Sequence, residues 1–68
     1  MGEFAKNLKD LRNEKNISQR ELAEIVGVTQ VAISQYEKGE SVPRINIAVK
    51  LAETLGVTCE ELCGKEVT

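Results

Sequence analysis

The segment from Gln30 to Lys38 carries an unusual polar face for a surface helix. Gln30, Ser34 and Gln35 are neutral hydrogen-bonding residues with Val31 beside them, where lysine and glutamate are common. An amide carries a donor and an acceptor, which fits the N6/N7 edge of adenine, and a valine can contact the thymine methyl group. We predict that these four residues read base edges, with Ser34 able to bond a base or a phosphate. Plain solvated surface is the alternative.

Two helices and a short turn are predicted to hold this face in place. Ser18 can accept from the amide of Glu21, and the Glu21 carboxylate can return the bond, as in a capping box. The helix that starts there ends at Gly27, and Thr29 caps the next helix. Only three residues therefore join the two helices. A turn of this length with a glycine is typical of a steeply crossed helix-turn-helix pair.

Apolar residues at helical spacing extend this reading to the whole chain. The predicted helices cover about residues 3–15, 18–26, 30–38, 44–55 and 59–63. The fourth helix is predicted to place five residues in the core: Ile45, Ala48, Leu51, Ala52 and Leu55. With one proline and five glycines there is little room for a turn-rich β fold. We predict an all-α, compact five-helix bundle that forms a single domain over residues 1–68.

The order of these motifs resembles a known family. The stretch NISQRELAEIVGVTQVAISQYEKGESVPRINIAVKLAETLGVTCEEL is similar to the helix-turn-helix domain of lambda-type phage repressors and Cro proteins, the Xre family. The similarity runs from about Phe4 to Leu62. It implies a lambda repressor-like DNA-binding fold and a sequence-specific transcriptional regulator of the repressor type. It also implies that the third helix enters the major groove, with Gln30, Val31 and Ser34, together with Gln35, facing the bases.

Phosphate contacts are expected on both sides of the third helix. Gln19 begins the second helix, where free amides and the helix dipole favour an anion, and the resemblance implies that it clamps the DNA backbone. The tyrosine of the third helix can bury its ring and aim its hydroxyl at a phosphate, although a plain core role is equally open. Arg20 is either a further contact or solvated charge. The predicted phosphate-binding residues are Gln19, Thr29, Lys38, Ser41, Arg44 and Tyr36.

Arg12 and Glu37 lie at helix ends, where each could be mere solvated charge. The resemblance implies instead that they form a structural ion pair that fixes the third helix. Two residues depart from the family pattern. Glu40 stands in a loop position that often carries lysine or arginine, and Arg44 stands where a serine or aspartate cap is common. The first departure is expected to lower affinity for DNA.

Charge and composition limit the other classes of function. The formal net charge is −2, but the segment from Arg12 to Lys50 has six basic and five acidic residues, so the acidity lies in the flanks. There is no histidine, no paired carboxylate set and no glycine-rich phosphate loop, so we predict no enzyme, no catalytic residues and no cofactor or small-molecule substrate. Cys59 and Cys63 lack the further ligands of a metal site and are expected to be reduced thiols. No apolar run reaches the length of a membrane span, and a cytoplasmic location is expected.

The predicted partner is double-stranded DNA, bound by a homodimer. One recognition helix reads only a few base pairs, and repressors of this kind bind two half-sites of a palindromic operator about 34 Å apart. The apolar residues near the C-terminus are predicted to form either the dimer interface or a lid on the core: Val57, Cys59, Leu62, Cys63 and Val67. The alternative function is a protein-interaction module of the antitoxin or anti-repressor type, which the acidic total and Glu40 favour.

Overall fold

Five α-helices account for most of residues 2–64, the part of the chain that the computed structural model describes. They are α1 (Gly2–Glu14), α2 (Gln19–Val26), α3 (Gln30–Lys38), α4 (Ile45–Leu55) and α5 (Cys59–Cys63). Within this range no residue lies in a β-strand. The predicted all-α, five-helix fold is therefore confirmed.

Short-range bonds set where the helix-turn-helix pair begins and ends. The Glu21 amide donates to Ser18 Oγ at 3.0 Å and the Ser18 amide donates to Glu21 Oε1 at 2.9 Å, so both halves of the capping box are present. Gly27 ends α2 with φ 91°, a left-handed conformation that is open to glycine at little cost. Thr29 Oγ1 then accepts from the Ala32 amide at 3.1 Å and starts α3.

Four helix ends differ by one residue from the predicted bounds: α1 begins at Gly2 instead of Glu3, α2 begins at Gln19 with Ser18 as its N-cap, and the other two differences have a structural reason. α1 ends at Glu14 instead of Lys15, because the chain turns through Asn16, which has φ 58°. α4 begins at Ile45 instead of Arg44, which serves as the N-cap residue without a side-chain hydrogen bond. The missing bond follows from the residue type, since arginine has no acceptor for a helix amide.

The core contains side chains from all five helices. Those with the least exposure are Leu8, Leu22, Val26, Ile33, Leu51, Leu55 and Leu62. Each fully buried aliphatic side chain contributes about 1.5–3 kcal/mol relative to an exposed one. Phe4 of α1 and Tyr36 of α3 meet edge to face with ring centroids 6.4 Å apart. Because α1 and α2 both pack on α3, the inward side of α3 is covered and its opposite side is left to solvent.

Ile45 was predicted to lie in the core, and this prediction is wrong. Its side chain is 76% exposed, whereas Ala48, Leu51 and Leu55 on the same helix are buried. In the first turn of α4 it is Ile47, and not Ile45, that packs partly against the core, so the apolar stripe was placed on the wrong residue of that turn. Ile45 therefore belongs to the surface.

The C-terminal apolar residues form a lid on the core. Leu62 has no exposed surface, and Val57 and Cys59 pack partly against the core. These three residues therefore belong to a lid on the core, which was one of the two predicted roles beside the dimer interface. Asn7 Nδ2 donates to the carbonyl oxygens of Glu61 at 3.3 Å and Leu62 at 3.1 Å, which fastens the end of α5 to α1. Cys63 is exposed. The remaining predicted interface residue, Val67, lies outside the described residues.

Candidate nucleic-acid interface

The outward side of α3 presents the four predicted base-reading residues. Gln30, Val31 and Gln35 are exposed, Val31 to 64%, and Ser34 is half-buried. None of the hydrogen bonds among residues 2–64 engages the side chains of Gln30, Ser34 or Gln35. The first turn of α3 holds no acidic residue that would repel a polyanion. The face thus combines free amides and an exposed apolar group on a helix whose other side is fixed by packing.

A largely buried ion pair connects the end of α1 to the end of α3. Arg12 Nε donates to Glu37 Oε2 at 2.6 Å and Arg12 Nη2 donates to Glu37 Oε1 at 3.2 Å. The side chains are 12% and 5% exposed. Arg12 Nη1 also donates to the carbonyl oxygen of Ile17 at 2.8 Å, in the turn before α2. This two-pronged geometry gives both direction and strength to the pair.

Gln19 joins the same cluster. Its Nε2 donates to Glu37 Oε1 at 3.1 Å, and the side chain is half-buried. From the sequence, Gln19 was predicted to contact a phosphate, and its bond to Glu37 was not predicted. No sequence signal pointed to this bond, because it joins residues 18 apart and depends on how α2 and α3 cross. We call Arg12, Glu37 and Gln19, with the Ile17 carbonyl, the polar brace.

The remaining predicted phosphate-binding residues surround α3. Lys38 and Arg44 are exposed at the two ends of the loop between α3 and α4, and Ser41 is half-buried within it. Thr29 is exposed, with its hydroxyl oxygen already accepting the cap bond. Tyr36 differs from the others, since its ring lies in the core against α1.

Two exposed ion pairs lie on the surfaces of α1 and α2. Arg20 Nε lies 3.6 Å from Glu24 Oε2 on α2, so its charge is partly compensated on its own helix. Lys6 Nζ lies 2.8 Å from Asp10 Oδ2 on α1. The hydrogen bond to Asp10 and the charge of that carboxylate raise the pKa of Lys6. Such exposed pairs contribute little to stability.

Neither a metal centre nor a membrane span is found in the part of the chain that the structure describes. Residues 2–64 contain no group of three histidine, cysteine, aspartate or glutamate side chains placed to hold a metal ion. Cys59 and Cys63 are free thiols. Among the described helices none has the length and apolar character needed to cross a bilayer.

The five-helix arrangement with α2 and α3 joined by a three-residue turn defines a helix-turn-helix protein of the lambda repressor type. The HTH_3 family model, described as helix-turn-helix, matches residues 8–62. The match covers more than half of the chain, and the chain belongs to this family.

Named relatives and solved structures support the assignment. The chain is 33% identical over 61 residues to the cryptic phage CTXphi transcriptional repressor RstR of Vibrio cholerae, covering 90% of this chain and 54% of that protein. It is 36% identical over 64 residues to the HTH-type transcriptional activator BcrR of Enterococcus faecalis, covering 94% and 31%. A crystal structure of the P22 c2 repressor protein in complex with synthetic operator 9T aligns with a TM-score of 0.85 and 30% identity, covering 87% and 89%.

These matches differ in how much of the relative they cover. The chain spans about half the length of the RstR repressor and about a third of BcrR. The shared part is the helix-turn-helix domain, and the matched relatives are named as transcriptional regulators and not as enzymes.

Proposed function

We propose that this protein is a sequence-specific DNA-binding transcriptional regulator of the repressor type, acting in the cytoplasm. The observation that carries the proposal is the face formed by Gln30, Val31, Ser34 and Gln35, which is neutral and lies on a helix packed on its other side. A helix fits the major groove, where amides can pair with adenine and an apolar group can meet a thymine methyl. The P22 c2 repressor, which is in complex with a synthetic operator in the matched structure, has the same fold.

Phosphate contacts would hold the helix in register. Lys38 and Arg44 bring two cations to the loop after α3, and Ser41 and Thr29 add hydroxyl groups. On the other side, the N-terminus of α2 and Gln19 offer amide donors. Phosphate contacts position a protein on DNA, while base contacts give the specificity. The buried ring of Tyr36 limits its part to a contact by the hydroxyl group.

We further propose that the protein binds a palindromic operator as a homodimer. The lid residues of α5 are largely used by the core, so the interface is better sought at the start of α4. Val42, Ile45 and Val49 are exposed there, and Ile45 and Val49 are one turn apart. A second copy that covers these residues would bury apolar surface at the end of the molecule that also carries Arg44. Two recognition helices could then read half-sites one DNA turn apart.

A protein-interaction module remains the second candidate function. It is favoured by the exposure of Ile25 in the last turn of α2 and of Val31 in the first turn of α3, and by the formal charge of −2. In this case Val31 would be an anchor for a partner protein of the antitoxin or anti-repressor type. The protein would then bind DNA no better than other acidic proteins do.

Selection of bound oligonucleotides from a random duplex pool tests the proposal. We expect enrichment of a palindromic motif, with affinity that falls steeply as salt rises. Light scattering with and without the enriched duplex gives the number of chains per site. Failure to enrich any motif, even at low salt, would contradict the regulator and favour the interaction module. An asymmetric motif bound by one chain would contradict the homodimer alone.

A further inference from the structure

The polar brace ends at a residue that is expected to touch DNA. Gln19 shares one carboxylate oxygen, Glu37 Oε1, with Arg12 Nη2. Glu37 is therefore the centre of a chain of bonds that runs from α1 through α3 to the first residue of α2. The role of this carboxylate is not limited to pairing with Arg12.

The chemistry of the two partners determines which way the Gln19 amide is turned. A carboxylate paired with a guanidinium has no hydrogen to give, so it accepts only. The Gln19 amide must present its nitrogen to Glu37, since a carbonyl oxygen in that place would repel the carboxylate. One of the two Nε2 hydrogens is used in this bond. Among residues 2–64 the other Nε2 hydrogen has no partner.

A phosphate oxygen is likewise an acceptor only, so it too needs an N–H. We infer that Glu37 is a positioning residue for DNA binding, which orients the Gln19 amide so that Nε2 bridges the Glu37 carboxylate and a backbone phosphate. This inference rests on the proposed function, because it assigns the phosphate contact of Gln19. Without Glu37 the amide can turn over and offer its oxygen, which a phosphate repels.

The brace also explains how an acidic residue can lie next to a DNA-binding surface. Arg12 holds two bonds to Glu37, so the carboxylate is compensated and nearly covered. The order along the chain of bonds is guanidinium, carboxylate, amide and phosphate. Each bond in such a chain polarises and strengthens the next. Lys38, the residue after Glu37, stays free and exposed for its own contact.

Nuclear magnetic resonance of the free protein tests the orientation. The chain has three glutamines, so the side-chain amides of Gln30 and Gln35, which make no bond within the described residues, are internal controls. We expect one Nε2 hydrogen of Gln19 to exchange with water about tenfold more slowly than those of the controls. Adding the enriched duplex should slow the second Nε2 hydrogen as well. Exchange of Gln19 at the rate of the controls would overturn the inference.

A double-mutant cycle tests the consequence for DNA. The proteins are the wild type, Gln19→Ala, Glu37→Gln and the double variant, with affinities for the enriched duplex measured where melting curves show each protein folded. We expect Glu37→Gln to weaken binding about tenfold in the wild type and less than about twofold when residue 19 is alanine. Equal factors in both backgrounds would mean that Glu37 acts only on the fold, and would overturn the inference.

The two experiments also separate this inference from the proposed function. If Glu37→Gln weakens DNA binding by the same factor with glutamine and with alanine at residue 19, and the wild type still binds tightly and specifically, only the positioning role is contradicted. If the wild type binds no duplex, both the proposed function and the contact of Gln19 Nε2 with a phosphate are contradicted. If Glu37→Gln does not fold, the exchange measurement on the wild type still decides the orientation.

Discussion

The two sides of α3 treat polar groups in opposite ways. Towards α1 and α2, Glu37 is covered and makes three bonds, to Arg12 and Gln19. Towards solvent, Gln30 and Gln35 keep their amides free. A polar group that is hydrogen-bonded inside the protein stabilises the position of the helix but is no longer available to bind a partner. A polar group that is left unpaired on a rigid helix can still bond to a partner.

The largest effect is expected when the bonds between Arg12 and Glu37 on the inner side of α3 are removed. Arg12→Ala leaves the Glu37 carboxylate nearly buried without its cation, which is expected to lower the free energy of unfolding by about 3–5 kcal/mol. Urea denaturation followed by circular dichroism measures the change. The control is Arg20→Ala, whose exposed pair with Glu24 should be worth less than about 1 kcal/mol. Equal losses in the two variants would refute the structural role of the pair.

The second change acts on the outer side. Gln30→Ala is expected to leave the free energy of unfolding within about 0.5 kcal/mol, since its side chain is exposed. It should cost roughly 1–3 kcal/mol in binding to the selected operator and relax the preference at one base pair in each half-site. Fluorescence anisotropy with the selected operator and with its single-base variants measures both the loss of affinity and the change in base preference.

The matched control for Gln30→Ala is a mixed-sequence duplex. Binding there depends on phosphates, so the variant should bind it as the wild type does. If Gln30→Ala loses the same factor on the operator and on the mixed duplex, Gln30 does not read bases.

Lys38→Ala tests the distinction between residues that bind the DNA backbone and residues that recognise bases. Lys38 follows Glu37 but is exposed and free, so its loss should weaken binding to all duplexes alike. The slope of log affinity against log salt should become shallower by about 1 per protomer. Lys9→Ala, on the exposed side of α1, is the control and should leave the slope unchanged. A change confined to one operator sequence would contradict the phosphate contact.

The helix ends could be predicted because the chemistry that makes them is local. Ser18 and Glu21 are three residues apart, and the cap they form needs nothing else from the fold. Gly27 and Thr29 mark the turn in the same way. The all-α, five-helix fold followed from such signals and from apolar periodicity, whereas the lambda repressor-like fold was implied by the resemblance of the motifs to that family. These are the parts of the molecule in which sequence neighbours are also spatial neighbours.

Two features could not be read in this way. Ile45 continues the apolar period of α4, but the sequence offers both Ile45 and Ile47 in the first turn, and periodicity alone did not show that Ile47 is the one that packs against the core. The bond from Gln19 to Glu37 crosses 18 residues and depends on how α2 and α3 cross. The residue types of the outer face were apparent from the sequence, whereas their contacts with DNA depend on a partner outside the chain.

The smallest expected effect comes from Val31→Thr, which replaces one methyl group by a hydroxyl. Val31 is exposed, so the free energy of unfolding should change by less than about 0.5 kcal/mol. In the complex the hydroxyl would lie where an apolar group meets a thymine methyl, and binding should weaken by less than about 1 kcal/mol. Replacing that thymine by uracil removes the methyl and should make the two proteins bind equally. A difference that persists on the uracil duplex would show that Val31 contacts something other than the methyl group.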